Sequence, residues 1–96
     1  MKQKKIFISG KITGNEIYYA QFLTAEIELK NKGHIVFNPA TMPIGLEYEQ
    51  YMHICKAMID ICDTVAFLPN WKDSKGAKIE MEYAKKANKK IMYLEV

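Results

Sequence analysis

The chain has 96 residues, of which 49% are apolar and 26% are charged, and these values predict one globular domain with a single core. No apolar run approaches the roughly 18 residues that a membrane-spanning helix needs, and the run after the basic start is too short for a signal peptide. We therefore expect a cytoplasmic protein without a membrane partner. All 14 basic residues are lysine, and the absence of arginine argues against a nucleic-acid polymer as partner.

The two cysteines predict neither a disulfide nor a metal site. Cys55 and Cys62 are seven residues apart on a predicted helix, which separates them by roughly 10 Å of helical rise, whereas bridged Cα atoms lie within about 7 Å. We expect free thiols, as in a reducing compartment. His53 and Cys55 point to divergent sides of the same helix, so no metal and no cofactor are expected.

Four β-rich runs alternate with three helical stretches. In chain order the predicted elements are strand 6–9, helix 16–32, strand 34–37, helix 47–61, strand 64–68, helix 75–87 and strand 90–94. Asn15 is the expected N-cap of the first helix, and Gly33 is expected just after its end.

This alternation predicts a single α/β domain over residues 1–96. Parallel strands joined by right-handed crossovers are typical of it, and the third strand is apolar throughout, as expected when helices cover both faces. We expect a three-layer sandwich around a four-stranded parallel sheet in the order 2-1-3-4. Ligands of such sheets bind beyond the carboxyl ends of the strands, near the switch point between the first and third strands.

The third helix carries two glutamates in different surroundings. Glu82 has Lys78 and Lys86 four residues away on either side, which predicts a solvated, paired face. Glu80 has Gly76 and Ala84 at the same spacings and leans toward the helix N-terminus. This position favours a nucleophile or a base beside a ligand, although a partly exposed surface glutamate is the plain alternative.

The loops at the carboxyl edge contain further candidates, each with a structural alternative. Ser74 is the expected N-cap of the third helix, whose first N–H groups can also bind phosphate. Gly10 in the first loop permits close approach of a ligand, and Lys11 either meets a phosphate or faces water. Trp71 either stacks on a base or packs its loop onto the domain.

Aromatic residues also gather at the start of the second helix. Tyr48, Tyr51 and Met52 can be core, pocket wall or subunit interface. Because a domain of this size often buries such surface by self-association, we expect a homodimer.

Several motifs together resemble the nucleoside 2-deoxyribosyltransferase superfamily, and most closely its short, largely uncharacterised bacterial and phage branch. The resemblance spans nearly the whole chain, and the order and spacing of the motifs carry it. They are I-F-I-S-G at 6–10, G-H-x-V-x-N-P at 33–39, G-L-x-Y-x-x-Y-M at 45–52, C-D at 62–63, P-N-W at 69–71 and S-x-G-A-x-x-E-x-x-x-A at 74–84.

The resemblance implies a flavodoxin-like, Rossmann-like fold and cleavage of the N-glycosidic bond of a nucleoside or nucleotide. The superfamily's nucleophilic glutamate, which forms a covalent sugar intermediate, matches Glu80, four residues after Gly76. Ser74 matches the serine that holds a 5′-phosphate in members acting on nucleoside monophosphates. The substrate-binding residues predicted in this way are Phe7, Ser9, Gly10, Lys11, Ile12, Pro39, Trp71, Ser74, Gly76 and Ala77.

The chain departs from the superfamily pattern at two positions. Cys55 stands where members usually have an aspartate, and Phe7 stands where many have a tyrosine. Asp60 lies on the same helix at a different angle, and Asp63 is interpreted as a structural residue at a strand start. These departures favour the main alternative, a nucleotide-binding module or sensor that has lost the chemistry. A structural homodimer without a small ligand is the third hypothesis.

Overall fold

In the computed structural model, which describes residues 2–95, four parallel strands form one sheet in the order β2-β1-β3-β4. This order and the alternation of strands and helices confirm the predicted α/β fold. The elements are β1 (Lys5–Ser9), α1 (Tyr18–Asn31), β2 (Ile35–Phe37), α2 (Tyr48–Ile61), β3 (Thr64–Phe67), α3 (Lys75–Lys86) and β4 (Lys90–Tyr93), with 3-10 turns at Pro39–Thr41 and Trp71–Asp73.

Side chains of β1 alternate between two cores, one on each face of the sheet. Ile6 and Ile8 are fully buried in the core that α1 covers, together with Phe22. Phe7 is fully buried in the opposite core, beneath α2 and α3, in a cluster that includes Cys55. Because successive strand residues point to opposite faces, one strand contributes to both layers.

The first helix begins later than the sequence predicts. Asn15 is not its N-cap, since Ile17 occupies that position and α1 begins at Tyr18. The Asn15 amide instead donates to the Lys11 carbonyl oxygen at 2.9 Å and to Gln21 Oε1 at 2.8 Å. Its oxygen accepts the Ile17 N–H at 3.3 Å. Asparagine stabilises a turn by such local bonds as readily as it caps a helix. The predicted start of α1 is therefore two residues too early.

The other predicted helix ends are confirmed. Gly33 follows the C-cap Lys32 with φ of +92°, a conformation that side chains other than glycine rarely adopt. Ser74 caps α3 by accepting the Ala77 N–H at 3.1 Å. None of the helices within residues 2–95 combines the length and apolarity needed to cross a membrane.

Asp63 forms hydrogen bonds at the edge of the strands, and both cysteines are buried in the core. The Asp63 carboxylate accepts the Lys5 N–H at 3.1 Å and the Thr64 hydroxyl at 2.7 Å, which ties β3 to the start of β1. These bonds agree with the structural role predicted for Asp63. Cys55 and Cys62 are free, buried thiols, as their spacing predicts.

Gly10 is required by packing at the end of β1. A Cβ at this position would lie 2.7 Å from Leu68 Cδ1 and 3.0 Å from Leu68 Cβ. We expect Gly10→Ala to lower the free energy of unfolding by about 1–3 kcal/mol, the usual range for overpacking, in urea titrations. Gly76→Ala is the control, because its Cβ would meet no atom closer than 3.6 Å. Equal stability of the Gly10→Ala variant and the unmodified chain would contradict this account.

Candidate active site

A narrow cleft of about 50 Å³ opens at the carboxyl end of β1, between the segments that follow β2 and β3. The topology of the sheet reverses between β1 and β3. The structure brings eight predicted site residues to the wall of the cleft. They are Ser9, Gly10, Ile12, Pro39, Ser74, Gly76, Ala77 and Glu80.

Glu80 is the buried carboxylate of this cleft, with only 5% of its surface exposed. The Ser9 hydroxyl donates a hydrogen bond of 2.6 Å to Glu80 Oε1. Burial raises the pKa of Glu80 to about 7, although the Ser9 hydroxyl and the neighbouring Cys55 thiol lower it in part. The carboxylate therefore exchanges between its charged and neutral forms near neutral pH.

The prediction for Glu82 is confirmed for its exposure, but its predicted ion pairs are not found within residues 2–95. Its side chain lies in solvent, outside the cleft. The predicted ion pairs with Lys78 and Lys86 are not formed, since the only ion pair found within residues 2–95 joins Lys30 to Glu26. Entropy of long exposed side chains and solvent screening weaken such surface pairs.

The Tyr51 hydroxyl is buried in the wall of the cleft, where it lies beside the Cys55 thiol but forms no hydrogen bond of good geometry within residues 2–95. Burial raises the pKa of Tyr51 above its ordinary value, and nearby Cys55 and Glu80 raise it further. A buried unpaired hydroxyl usually indicates a missing partner. A ligand hydroxyl or ring nitrogen in the cleft would supply one.

Cys55, which the sequence resemblance matches to an aspartate of the superfamily, lies beside Glu80. Burial raises the pKa of this thiol well above its ordinary value, and the Glu80 carboxylate raises it further. Cys55 therefore stays protonated at neutral pH and is unsuited to act as a thiolate nucleophile. Asp60 does not replace the missing acid, because it is exposed and accepts the Tyr83 hydroxyl at 2.6 Å.

Side-chain amides hold the β1–α1 loop against the β3–α3 loop. Asn70 Oδ1 accepts the Lys11 N–H at 3.1 Å, and its amide group reaches Gln21 Oε1 at 3.4 Å. Gln21 also accepts from Asn15, which is bonded to the Lys11 carbonyl oxygen. These bonds fix both backbone polar groups of Lys11, immediately before Ile12, which lines the cleft.

Three predicted substrate-binding residues lie outside the cleft wall. Phe7 is fully buried in the core beneath α2 and α3. Lys11 lines a separate surface groove. Trp71 packs against Phe67 and Tyr93, with ring centroids 5.3 and 6.5 Å apart, which matches the structural alternative for this residue. Their roles in binding stay predictions.

The wall also contains residues that the sequence did not single out as binding residues. Tyr48, Tyr51 and Met52 line the cleft, so the pocket-wall interpretation of these three is the one that the structure favours. Thr13 and Phe22 line it as well. Thr13 belongs to the glycine-bounded loop after β1. Its place in that loop is the only feature of the sequence that could have indicated its position in the cleft wall.

A larger, mostly apolar hollow of about 280 Å³ adjoins the cleft. It shares Ile12, Pro39, Tyr48 and Tyr51 with the cleft, and the loop around Ile44 forms its far side. Ligand sites for drug-sized molecules begin at about 300 Å³, so the hollow and the cleft together can hold a molecule of nucleoside size. No cluster of three or more potential metal ligands occurs within residues 2–95.

Comparison with solved structures identifies the class of fold. The chain superposes on the 2-desoxiribosyltransferase from Leishmania mexicana with a TM-score of 0.75 and 19% sequence identity. The match covers 95% of this chain and 63% of that enzyme, so this chain spans less than two thirds of its length. It therefore has the nucleoside 2-deoxyribosyltransferase-like fold that the sequence resemblance implies.

By sequence, the protein belongs to the family described as "Domain of unknown function (DUF4406)", whose model matches residues 4–93. The family description assigns no activity. No curated protein sequence is significantly similar to the chain.

Proposed function

We propose that this protein cleaves the N-glycosidic bond of a nucleoside 5′-monophosphate, with Glu80 as the nucleophile. The observation that carries the proposal is the buried Glu80 carboxylate, held by Ser9 in a cleft at the switch point of the sheet. The 2-deoxyribosyltransferase-like fold supports the same reaction class, but fold alone does not assign function.

The shape and polarity of the site suggest how the substrate lies. The apolar hollow between Tyr18 and Tyr48 suits a base, and the anomeric carbon would then lie beside Glu80. The 5′-phosphate would reach Ser74 and the first N–H groups of α3, which have no partners within the helix. The Ser74 oxygen already accepts the Ala77 N–H, and its hydroxyl hydrogen is free to be donated to phosphate.

In the first step an oxygen of ionised Glu80 bonds to C1′ of the sugar while the C1′–N bond breaks. The bonding electron pair leaves with the base, which takes up a proton from a donor in the cleft or from water. In the second step water bonds to C1′, the ester to Glu80 breaks, and the water proton passes to a base or to solvent. A second nucleobase in place of water would give transfer. This is the double displacement of a retaining glycosidase.

The test is incubation of the purified protein with a panel of nucleosides and nucleoside 5′-monophosphates, followed by chromatography of the free bases. Intact-mass measurement during turnover should reveal a protein heavier by one sugar phosphate, and peptide mapping should place it on Glu80. Absence of base release from every compound would refute the proposed reaction.

The second candidate function is a nucleotide-binding module without chemistry. Cys55 favours this function. The cleft contains one carboxylate, that of Glu80, whereas the superfamily pattern has two. A thermal-shift screen that finds nucleotide stabilisation without base release would support this function in place of the enzyme. A screen without any stabilising nucleotide would contradict both.

Tyr51→Phe is expected to separate ligand contact from structural support. The hydroxyl forms no hydrogen bond of good geometry within residues 2–95, so its removal should leave the free energy of unfolding unchanged or raise it by up to about 1 kcal/mol. If the hydroxyl bonds the substrate, kcat/KM for base release should fall by about tenfold or more. Unfolding in urea and steady-state kinetics measure the two effects. A Tyr51→Phe variant with unchanged kcat/KM would show that the hydroxyl does not bond the substrate.

A further inference from the structure

A groove rich in lysine crosses the N-terminal end of α3, beside the Glu80 cleft. Its volume is about 640 Å³. We call it the lysine groove and define it by its six charged residues, Lys11, Lys72, Asp73, Lys75, Lys78 and Glu82.

The lysine groove carries an excess of positive charge. It has four lysines against two carboxylates, and none of the six forms an ion pair, since the single ion pair within residues 2–95 lies elsewhere. Like charges that line one groove repel each other, and a bound anion would relieve the repulsion. The excess charge therefore favours a ligand with several negative charges.

At two points in the chain, neighbouring residues line the lysine groove and the cleft. Lys11 lies between Gly10 and Ile12, and Lys75 lies between Ser74 and Gly76. All four of these neighbours line the Glu80 cleft, whereas both lysines line the lysine groove. The groove therefore lies next to the cleft along these two backbone segments, and phosphates that extend beyond Ser74 would point toward it.

We propose that the lysine groove binds the β- and γ-phosphates of a nucleoside polyphosphate whose sugar lies beside Glu80. This inference rests on the proposed function, because it extends the substrate outward from the 5′-phosphate. The proposed site for a monophosphate uses only Ser74 and the helix end, which leaves Lys72 and Lys78 of the groove for the additional phosphates.

The experiment compares the affinities of one nucleoside as its mono-, di- and triphosphate, by titration calorimetry on the Glu80→Gln variant, which prevents turnover. We expect the triphosphate to bind about tenfold more tightly than the monophosphate at low salt, and the difference to shrink as salt screens the lysines. Equal affinities at low salt would overturn the proposal.

The double variant Lys72→Ala/Lys78→Ala, in the same background, tests the groove itself. The triphosphate should lose about tenfold in affinity, while the monophosphate should change by less than about twofold. Lys85→Ala/Lys86→Ala, at the other end of α3, is the matched control and should change neither. Unchanged triphosphate binding in the Lys72→Ala/Lys78→Ala variant would overturn the proposal.

Other outcomes separate this inference from the proposed function. Lysine-dependent binding of a 5′-phosphorylated oligonucleotide, without binding of the triphosphate, would overturn the assignment to a nucleoside polyphosphate. Lysine-dependent triphosphate binding to a wild-type protein that releases no base would support the groove and refute the reaction. Failure of every nucleotide to bind would overturn both.

Discussion

Replacing Glu80 by glutamine is expected to reduce the rate of base release by about a thousandfold or more, as loss of a nucleophile does in other enzymes. The amide has nearly the shape of the carboxylate and can still accept the hydrogen bond that Ser9 donates to Glu80 Oε1. It cannot form the bond to C1′. Release of free base, measured under initial-rate conditions at a saturating nucleotide concentration, gives the effect on kcat.

Glu82→Gln is the matched control for this change. It removes the same charge from the same helix, two residues along the chain, but from an exposed side chain outside the cleft. With a nucleoside monophosphate, which does not extend into the lysine groove that Glu82 lines, its rate should stay within about twofold of the wild-type rate, as for most surface substitutions. A Glu80→Gln variant as active as Glu82→Gln would exclude the covalent mechanism.

The second large effect concerns stability, because burial raises the pKa of Glu80 from 4.5 to about 7 on folding. A carboxyl whose pKa is raised in the folded state contributes stability fully below pH 4.5, and this contribution is lost as pH rises through 7. The loss approaches about 3 kcal/mol above pH 8, at about 1.4 kcal/mol for each pKa unit. The folded protein is thus destabilised by ionising the group that the proposed reaction needs ionised.

Urea titrations of the wild type and of Glu80→Gln from pH 4 to 9 measure this effect. The free energy of unfolding of Glu80→Gln, relative to the wild type, should rise by about 3 kcal/mol across that range. Glu82→Gln should show no such rise. A difference between wild type and Glu80→Gln that is constant with pH would contradict the raised pKa.

The sequence predicts the sheet order and the element types because each signal is local. Alternating apolar runs, Gly33 at a helix end and Ser74 at a helix start each depend on a few neighbouring residues. The contrast between Glu80 and Glu82 is also local, since both lie on one helix with different residues at each turn. The exposure of Glu82 follows from that spacing, whereas the near-complete burial of Glu80 does not.

The contacts that define the site join distant parts of the chain, and no local pattern encodes them. Ser9 and Glu80 are 71 residues apart in sequence, and Lys11 and Asn70 are 59 apart. The raised pKa of Glu80 depends on how completely β1 and α2, which contribute Ser9 and Cys55, cover its carboxylate. Trp71 illustrates the opposite error, because an aromatic residue in a polar loop suggests a ligand, whereas here it packs on Phe67 and Tyr93.

The alternation of side chains along β1 limits how this domain can change by insertion or deletion. Phe7 and Ser9 point to one face of the sheet, and Ile6 and Ile8 point to the other. One residue added to or removed from β1 would turn Ser9 away from Glu80 and bring an apolar side chain into its place. The loop from β2 to α2, which forms the far side of the hollow, has no such register. We expect insertions and deletions to be tolerated in that loop but not in the strand. New ligand preferences can therefore arise in the loop without disturbing Glu80.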